Sequence, residues 1–200
     1  MDLFSVNSFQ NILPFDGEVL DYGLVLNSEN CSYYFNIFLN AGFWEHDEFV
    51  MFGKQIITAR KVAWFGDLEC QYSYSSSIKK AIAWTPELLS IKNLVELKTG
   101  KTFNSCLLNL YHNGNEGMGW HQDNEKELGK NPIIASLSLG VARKFSFKHV
   151  QSKQKVDILL QPGSLLLMKG ETQEKWLHSV PKTTKVKSPR INLTFRNIEN

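Results

Sequence analysis

The C-terminal part of the chain contains the segment Arg190-Ile191-Asn192-Leu193-Thr194-Phe195-Arg196. Polar and apolar side chains alternate strictly along it, which predicts a β-strand with one apolar and one polar face. The apolar face, formed by Ile191, Leu193 and Phe195, is expected to pack outward against other structure. The polar face then carries Arg190, Asn192, Thr194 and Arg196, so two permanently charged guanidinium groups share one side of a short strand.

The Cα atoms of these two arginines are expected to lie roughly 20 Å apart, at about 3.3 Å per residue of a strand. Guanidinium groups match the planar geometry of carboxylates, so a short dicarboxylate could bind between the two side chains. Taken alone, the segment fits an exposed edge strand better, with its polar residues in solvent. A metal site close by would instead favour the first interpretation, in which the two arginines bind a carboxylate ligand.

A candidate metal site is formed by His121-Gln122-Asp123 together with His178. Residues 121 and 123 are expected to share one face of a strand and to point two ligands into one pocket. The third ligand must return from a distant strand. Two imidazoles and one carboxylate that leave coordination positions open are typical of non-heme Fe(II) oxygenases. A His-x-Asp pair is weak evidence by itself, and a hydrogen-bonded His-Asp pair or a solvated turn is the alternative.

Asn109 and Tyr111 precede this metal motif and are also two residues apart. On a strand they share one face, and both side chains can hydrogen-bond a carboxylate. The alternative is a tyrosine at the margin of the core and an asparagine in a turn beside Asn113-Gly114.

The rest of the pattern predicts two helices followed by many short strands. The first helix is expected from about Ser28 to Ala41, with Gly42 as its stop. The second is expected from Pro86 to Thr99, capped by Thr85 and closed by Gly100. Strands are expected near residues 103–111, 133–139, 143–148, 156–160, 164–169 and 190–197. This density of strands favours a sandwich or jelly roll, and the absence of repeats and linkers favours one domain.

Between the two helices, residues 49–74 predict a hairpin arm that is rich in aromatic side chains. Nucleobases can stack on such rings, at about 1–3 kcal/mol each, and a base must leave the duplex to reach a buried metal. The alternative is a small aromatic core beneath the arm, which we favour for Trp64 and Phe65.

Length and composition fit one globular domain. A chain of 200 residues can bury most of its apolar surface, and 42% hydrophobic with 21% charged residues indicates a folded chain. No apolar run approaches the ~20 residues of a membrane span, and the start Met1-Asp2 lacks the basic region of a secretory signal. A soluble, unprocessed protein with no membrane association is expected.

The cysteines Cys31, Cys70 and Cys106 are odd in number and widely separated. This favours neither a zinc site nor a disulfide framework, and it indicates a reducing, intracellular compartment. We assign these cysteines to packing or surface roles, together with His46, His112 and His149. His149 is expected in a lysine-rich loop with no acidic partner nearby.

The net charge of +2 is too small to indicate a nucleic-acid partner, but its distribution is uneven. Lysines cluster at positions 144, 148, 153 and 155, and again at 182, 185 and 187. Both clusters flank the candidate metal site, where they could contact phosphates. Solvated loops between strands are the alternative.

Seven short motifs follow one another along the chain. They are Asn109-Leu-Tyr111, Trp120-His121-Gln-Asp123-Asn124-Glu125, Ile134-Ala-Ser-Leu-Ser-Leu-Gly140, Arg143-Lys-Phe145, Gly163-Ser-Leu-Leu-Leu-Met168, Trp176-Leu-His178 and Pro189-Arg190-Ile-Asn-Leu-Thr194-Phe-Arg196. With these motifs in this order, the chain resembles the AlkB family of Fe(II)/2-oxoglutarate-dependent nucleic-acid dealkylases, closest to the branch that contains the animal nuclear DNA-repair homologues. The resemblance extends from about Phe52 to Ile198.

The resemblance implies a fold class that is mainly β, or α+β. It is a double-stranded β-helix (jelly roll) with buttressing N-terminal helices and a nucleotide-recognition hairpin lid. Residues 1–200 would form a single dioxygenase domain, with the lid at about 45–75 and the jelly-roll core at 103–198. The cofactors implied are Fe(II), 2-oxoglutarate and O2.

The resemblance also assigns residues to roles. Iron ligands and catalytic residues would be His121, Asp123 and His178. The residues that hold 2-oxoglutarate would be Asn109, Tyr111, Arg190, Thr194 and Arg196. The residues that contact the substrate base or its surroundings would be Phe52, Gly53, Lys54, Tyr72, Tyr74, Asn124 and Glu125.

The function implied is oxidative demethylation of bases such as 1-methyladenine and 3-methylcytosine in DNA, with RNA as a second polymer, releasing formaldehyde, succinate and CO2. The protein would be a monomer, nuclear in a eukaryote or cytoplasmic in a bacterium. One alternative is the same chemistry on an RNA, protein or lipid substrate, and another is a catalytically silent nucleic-acid-binding module. Gln122 and Asn124 depart from residues common in the family, and Lys54-Gln55-Ile56 lacks clear duplex-gripping charge, so the strand preference stays open.

Overall fold

The computed structural model describes the backbone of residues 9–51, 53–67, 71–74 and 77–199, and all of these side chains except those of residues 49–51, 54, 71–74 and 77–80. The strands are β1 (Glu18–Leu24), β2 (Glu45–Met51), β3 (Lys54–Gly66), β4 (Gln71–Tyr74), β5 (Ser77–Lys80), β6 (Ser105–Tyr111), β7 (Met118–His121), β8 (Ile134–Gly140), β9 (Arg143–His149), β10 (Lys155–Leu160), β11 (Ser164–Lys169), β12 (Trp176–Val180) and β13 (Arg190–Arg196). The helices are α1 (Ser28–Leu39), α2 (Pro86–Thr99) and the short α3 (Thr172–Lys175), with a 3₁₀ turn at Lys126–Leu128.

Two antiparallel sheets form the body of the molecule. Within the described residues, the larger sheet has seven strands in the order β1-β11-β8-β13-β6-β3-β2, and the smaller has four in the order β10-β9-β12-β7. The strand β13 lies in the middle of the larger sheet, paired with β6 on one side and β8 on the other. The strand order and the antiparallel pairing fit the predicted double-stranded β-helix.

The alternation of β13 separates the two layers of the core. Ile191, Leu193 and Phe195 are fully buried in a cluster with residues of α1 and α2, such as Phe38 and Val95. The predicted outward packing of this apolar face is therefore confirmed. The helices cover one face of the larger sheet, and the polar face of β13 is turned toward the space between the sheets.

A second apolar cluster fills that space away from the polar residues. It contains Phe145 and Phe147 of β9, Leu166 and Met168 of β11, and Trp176 at the start of β12. Burial of side chains of this size contributes about 1.5–3 kcal/mol each. This packing holds the smaller sheet at a fixed separation from the larger one.

The helix α2 follows its sequence signals at both ends. The Thr85 hydroxyl accepts a hydrogen bond from the backbone N–H of Leu88, and Gly100 closes the helix with a left-handed φ of 65°. The helix α1 begins where it was predicted, with Asn27 as its cap, but it ends at Leu39 rather than near Ala41. Asn40 takes the C-cap position, and its side chain donates to the carbonyl of Asn36.

The larger sheet includes strands from outside the predicted jelly-roll core. The strand β1 pairs with β11 and was not predicted, since the N-terminal third indicated only helices. The C-terminal half of β3 pairs with β6, so the arm that begins at β2 continues the main sheet. The division of the chain into a lid at about 45–75 and a core at 103–198 stays a prediction.

The expectation for His149 is wrong. This residue ends β9, its ring is 3% exposed, and its Nε2 lies 3.4 Å from the carboxylate of Asp16. Its Nδ1 accepts the backbone N–H of Ser152 at 3.0 Å, and its ring packs edge-on against Trp176. His149 therefore connects the N-terminal loop to the hairpin between β9 and β10.

Cys31 and Cys106 are buried and free, as a packing role requires, and Cys70 lies outside the described residues. In the part of the chain that the structure describes, no helix is long and apolar enough to span a bilayer.

Candidate active site

The three candidate metal ligands converge at one end of the space between the sheets. His121 on β7 and His178 on β12 are register partners, and their ring centroids lie 4.1 Å apart. The Oδ1 atom of Asp123 lies 3.7 Å from Nε2 of His121 and 3.9 Å from Nε2 of His178. These separations exceed hydrogen-bonding range, and an ion bonded to each donor at about 2.1 Å fits between them. The predicted grouping of the three residues is confirmed.

The predicted position of Asp123 on a strand is wrong. The strand β7 ends at His121, and Asp123 lies in the coil that follows. Its backbone N–H donates to Oε1 of Gln173 at 3.0 Å, and the Gln122 amide donates to the carbonyl of Glu174 at 2.9 Å. Two hydrogen bonds to α3 thus turn the Asp123 carboxylate toward the histidines.

Both imidazoles turn a ring nitrogen toward the candidate ion position. Nδ1 of His121 lies 2.9 Å from the carbonyl of Gly119 and donates to it, which leaves the Nε2 lone pair directed at Asp123 and the ion position. The His178 ring is 4% exposed and stacks on Phe145 with centroids 5.5 Å apart. Burial lowers the pKa of His178 from 6.5 to about 3, against the opposing effect of Asp123. Its ring is therefore uncharged at neutral pH.

Asp123 remains ionised although it is buried. Burial alone would raise the pKa of its carboxyl, but the nearby Arg196, His178 and His121 together hold the pKa below its ordinary value. Arg196 donates from Nη2 to Oδ2 at 2.7 Å. The ion pair leaves Oδ1, the oxygen that faces both histidines, available to a metal ion.

A buried guanidinium marks the opposite end of the site. Arg190 is 1% exposed, and its Nη2 donates to Oγ of Ser138 at 2.9 Å and to Oδ1 of Asn192 at 2.7 Å. Its Nε and Nη1 have no hydrogen-bond partner among the described residues. Burial lowers the pKa of Arg190 to about 10, with Tyr111 opposing this and Arg143 adding to it, so the group is charged at neutral pH. A buried cation with two free donors is suited to a carboxylate ligand.

One cavity of about 420 Å³ joins the two ends, within the range of small-molecule sites. Every residue assigned to iron or 2-oxoglutarate lines it, namely Asn109, Tyr111, His121, Asp123, His178, Arg190, Thr194 and Arg196. The two arginines of β13 do not act alike. Arg190 keeps free donors, whereas Arg196 binds Asp123. The assignment of all five residues to 2-oxoglutarate stays a prediction.

The residues assigned to the substrate base differ in their distance from the cavity and in whether the structure describes them. Glu125 lines the cavity, and its Oε2 is buried without a partner among the described residues. Asn124 is exposed and is not among the lining residues, and Gly53 is exposed in the turn between β2 and β3. Phe52 and the side chains of Lys54, Tyr72 and Tyr74 lie outside the described residues.

Several lining or supporting residues were not predicted. Arg60 lines the cavity and forms an ion pair with the half-buried Asp47, and Ser138 and Asn192 hold Arg190. The alternation of β13 had placed Asn192 on the polar face, which was a usable signal. Nothing in the local sequence relates Gln173 to Asp123, because the two meet only through the fold.

Comparisons with known proteins agree with this geometry. The profile of the 2OG-Fe(II) oxygenase superfamily matches residues 25–196. "Alpha-ketoglutarate-dependent dioxygenase alkB homolog 3" of Bos taurus is 43% identical over 149 residues, covering 70% of this chain and 51% of the relative. "DNA oxidative demethylase ALKBH2" of Bos taurus is 40% identical over 156 residues, covering 74% of this chain and 56% of the relative. The chain thus spans about half the length of the curated relatives it matches.

The fold has a solved counterpart in the structure of OsALKBH1, with a TM-score of 0.60 and 17% identity over 92% of this chain and 99% of that chain. At this identity the likeness shows the fold alone, which is the predicted jelly roll. The superfamily match implies the predicted cofactors Fe(II), 2-oxoglutarate and O2. A profile covering most of the chain and AlkB homologues at about 40% identity lead to one conclusion: the chain belongs to the 2OG-Fe(II) oxygenase superfamily, as an AlkB-like member.

Proposed function

We propose that this chain is an Fe(II)- and 2-oxoglutarate-dependent dioxygenase that removes alkyl groups from nitrogen atoms of nucleobases such as 1-methyladenine and 3-methylcytosine in DNA. The observation that carries the proposal is the pairing, in one cavity, of a His-His-Asp donor cluster with a buried guanidinium that has free donors. Such a pair suits a metal and a dicarboxylate held side by side. The relatives named as DNA oxidative demethylases support a nucleic-acid substrate.

In this proposal, His121, Asp123 and His178 would hold Fe(II) through Nε2, Oδ1 and Nε2. The Arg190 guanidinium would hold a carboxylate of 2-oxoglutarate, with Asn109, Tyr111, Thr194 and Arg196 along the cavity wall. The bound cofactors supply the oxidising chemistry that converts an N-methyl group and 2-oxoglutarate with O2 into formaldehyde, succinate, CO2 and the unmodified base. The protein contributes binding, orientation and the exclusion of water.

Glu125 is the described residue best placed to recognise the base. A buried carboxylate oxygen without a donor costs free energy, and an exocyclic amine of adenine or cytosine would supply that donor. Phe52, Gly53, Lys54, Tyr72, Tyr74 and Asn124 remain predicted substrate contacts. Monomeric state, nuclear or cytoplasmic location, the lack of membrane association and one domain over residues 1–200 also remain predictions.

The catalytically silent module is the less favoured function. Among the described residues, the three donor atoms converge in one cavity, an arrangement that metal chemistry uses and that a binding module alone does not need. No described contact favours a protein or lipid substrate over a nucleobase. RNA remains a second polymer for the same chemistry.

The test measures formaldehyde and succinate released from single- and double-stranded oligonucleotides carrying 1-methyladenine or 3-methylcytosine, with Fe(II) and 2-oxoglutarate. We expect both products in equal amounts from at least one substrate, and neither from the His178→Ala variant. Succinate without formaldehyde would keep the oxygenase and reject the nucleobase as substrate. No turnover by protein that binds iron would support the silent module.

The matched variant Glu125→Gln removes the charge and keeps the shape of the side chain. We expect it to raise the KM for the oligonucleotide by about tenfold, as the loss of one charged hydrogen bond predicts. Succinate formation in the absence of substrate should stay unchanged. An unchanged KM would remove Glu125 from the substrate site without affecting the iron and 2-oxoglutarate assignments.

A further inference from the structure

A second fully buried arginine lies beside the co-substrate end of the cavity and has no role in the assignments above. Arg143 begins β9 and is 2% exposed, on the same face of the strand as Phe145 and Phe147. Among the described residues, no carboxylate lies within ion-pair distance of its guanidinium. A buried charge of this kind requires other compensation.

Three backbone carbonyls accept hydrogen bonds from this guanidinium, and Tyr111 and Glu116 also stabilise its charge electrostatically. Nη1 of Arg143 donates to the carbonyl of Asn113 at 3.2 Å, and its Nη2 donates to the carbonyls of Glu116 at 2.9 Å and Pro181 at 3.0 Å. Two of these acceptors lie in the loop at 112–117 and the third lies in the loop at 181–189. One side chain therefore connects two loops that are far apart in sequence.

The two loops have a special position in the site. The loop at 112–117 joins Tyr111 at the end of β6 to β7, which carries His121. The loop at 181–189 joins β12, which carries His178, to Arg190 at the start of β13. Each loop thus links a metal ligand to a residue assigned to 2-oxoglutarate.

The backbones of these loops approach closely where Arg143 holds them. The Gly114 N–H donates to the carbonyl of Val186 at 2.9 Å, and the Thr183 N–H donates to the carbonyl of Gly114 at 2.8 Å. A Cβ added at Gly114 would lie 2.2 Å from the carbonyl oxygen of Thr183, so no side chain fits between them. The two loop backbones are therefore in direct contact at Gly114. Neither loop can move away there without breaking these hydrogen bonds.

Arg143 also contacts the co-substrate end directly through Tyr111. Its Cζ lies 5.8 Å from the centroid of the Tyr111 ring, and Cζ of Arg190 lies 5.7 Å from the same centroid. Both distances are in the range of cation–π interaction. The orientation of the tyrosine therefore depends on the arginine that binds the loops as well as on the arginine assigned to 2-oxoglutarate.

We infer that Arg143 is a positioning residue. By binding three carbonyls of the loops at 112–117 and 181–189, it holds the metal ligands and the 2-oxoglutarate residues in one arrangement. Its removal loosens both loops and lowers the affinity for 2-oxoglutarate. The affinity statement rests on the proposed function, whereas the loop statement does not.

The first experiment measures amide hydrogen exchange on the metal-free protein, which needs no assumption about function. In Arg143→Met we expect the amides of Gly114 and Thr183 to exchange at least about tenfold faster than in the wild type, since three charge-assisted hydrogen bonds are lost. Arg143→Lys, which can reach fewer carbonyls, should give a smaller increase. The control Val95→Ala creates a cavity in the α2 core on the other side of the larger sheet, so it lowers global stability without touching the loops.

Faster exchange in Arg143→Met confined to these loops, and absent from Val95→Ala, supports the inference. Unchanged exchange at Gly114 and Thr183, or equal acceleration in the Val95→Ala control, overturns it. The result is decisive even if the wild-type protein binds no 2-oxoglutarate.

The second experiment measures 2-oxoglutarate binding by calorimetry to the Mn(II)-loaded protein without oxygen. We expect Arg143→Met to raise the Kd by about tenfold, Arg143→Lys to raise it less, and Val95→Ala to leave it within about twofold.

Turnover gives a further readout. At saturating 2-oxoglutarate, the turnover rate of Arg143→Met should recover, so the KM for 2-oxoglutarate changes and kcat does not. Wild-type protein that fails to bind 2-oxoglutarate would reject the proposed function, whereas equal Kd values in wild type and Arg143→Met would reject the role of Arg143 in positioning.

Discussion

The metal-free protein should lose stability in mild acid because of one buried imidazole. His178 is 4% exposed, and burial lowers its pKa from 6.5 to about 3. Below pH 6.5 the unfolded chain binds a proton at this residue that the folded chain does not accept. The contribution of His178 to stability is thus fully present above the unfolded pKa, and it declines as the pH falls toward 3.

The size of the effect follows from the two pKa values. Each pH unit between them costs about 1.4 kcal/mol, so a fall from ~pH 7.5 to ~pH 5.0 removes about 2 kcal/mol of the free energy of unfolding. The total loss on reaching ~pH 3 is about 4 kcal/mol. That total is comparable with the whole stability of many domains, about 5–15 kcal/mol, so acid unfolding of the metal-free protein is expected.

The assay is urea unfolding at the two pH values, followed by tryptophan fluorescence in the presence of a chelator. The variant His178→Leu removes the titrating ring and fills a similar volume, so its loss of stability between the two pH values should be about 2 kcal/mol smaller than that of the wild type. The control His46→Leu makes the same substitution at an exposed histidine on β2, so it separates the effect of His178 from that of replacing a histidine by leucine. Equal pH dependence in wild type and His178→Leu would refute the reasoning.

Two further substitutions test the support of Asp123. Arg196→Met leaves the Asp123 carboxylate buried without its 2.7 Å ion pair, so we expect a loss of about 3–5 kcal/mol in the urea unfolding of the metal-free protein, and a clearly smaller loss in Arg196→Lys. A loss below about 1 kcal/mol would show that solvent already screens the pair. Gln173→Leu removes the acceptor of the Asp123 N–H, and we expect it to weaken Co(II) binding by about tenfold in a spectroscopic titration, whereas unchanged affinity would mean that α3 does not orient the ligand.

Local sequence determined the elements whose signals are complete within a few residues. The helix α2 has its N-cap, its first-turn proline and its closing glycine within its own segment, and its predicted ends match the structure. The alternation of polar and apolar residues along β13 predicts both of its faces, because successive side chains of a strand point to opposite sides. Its position between two other strands then makes the apolar face part of the core and the polar face part of the cavity.

The grouping of His121, Asp123 and His178 was also readable from the sequence, but the contacts that support it were not. His121, Asp123 and His178 are chemically distinctive, so their residue types and order were enough to suggest the site. The position of Asp123 depends on Gln173, which approaches it from α3. No local pattern predicts this contact, since the two segments meet only after β7 and β12 have paired.

Tertiary structure alone decided the environments of the remaining polar residues. His149 is an ordinary histidine near lysines in the sequence, but the fold buries it against Asp16 and Trp176. Arg143 shares the alternation of its apolar neighbours, and only the arrival of two distant loops supplies the carbonyls that allow its charge to be buried. Sequence specifies where side chains point along their own element, whereas the partners that compensate buried charge come from segments far away in the chain. Those partners are established only when the sheets and loops have assembled.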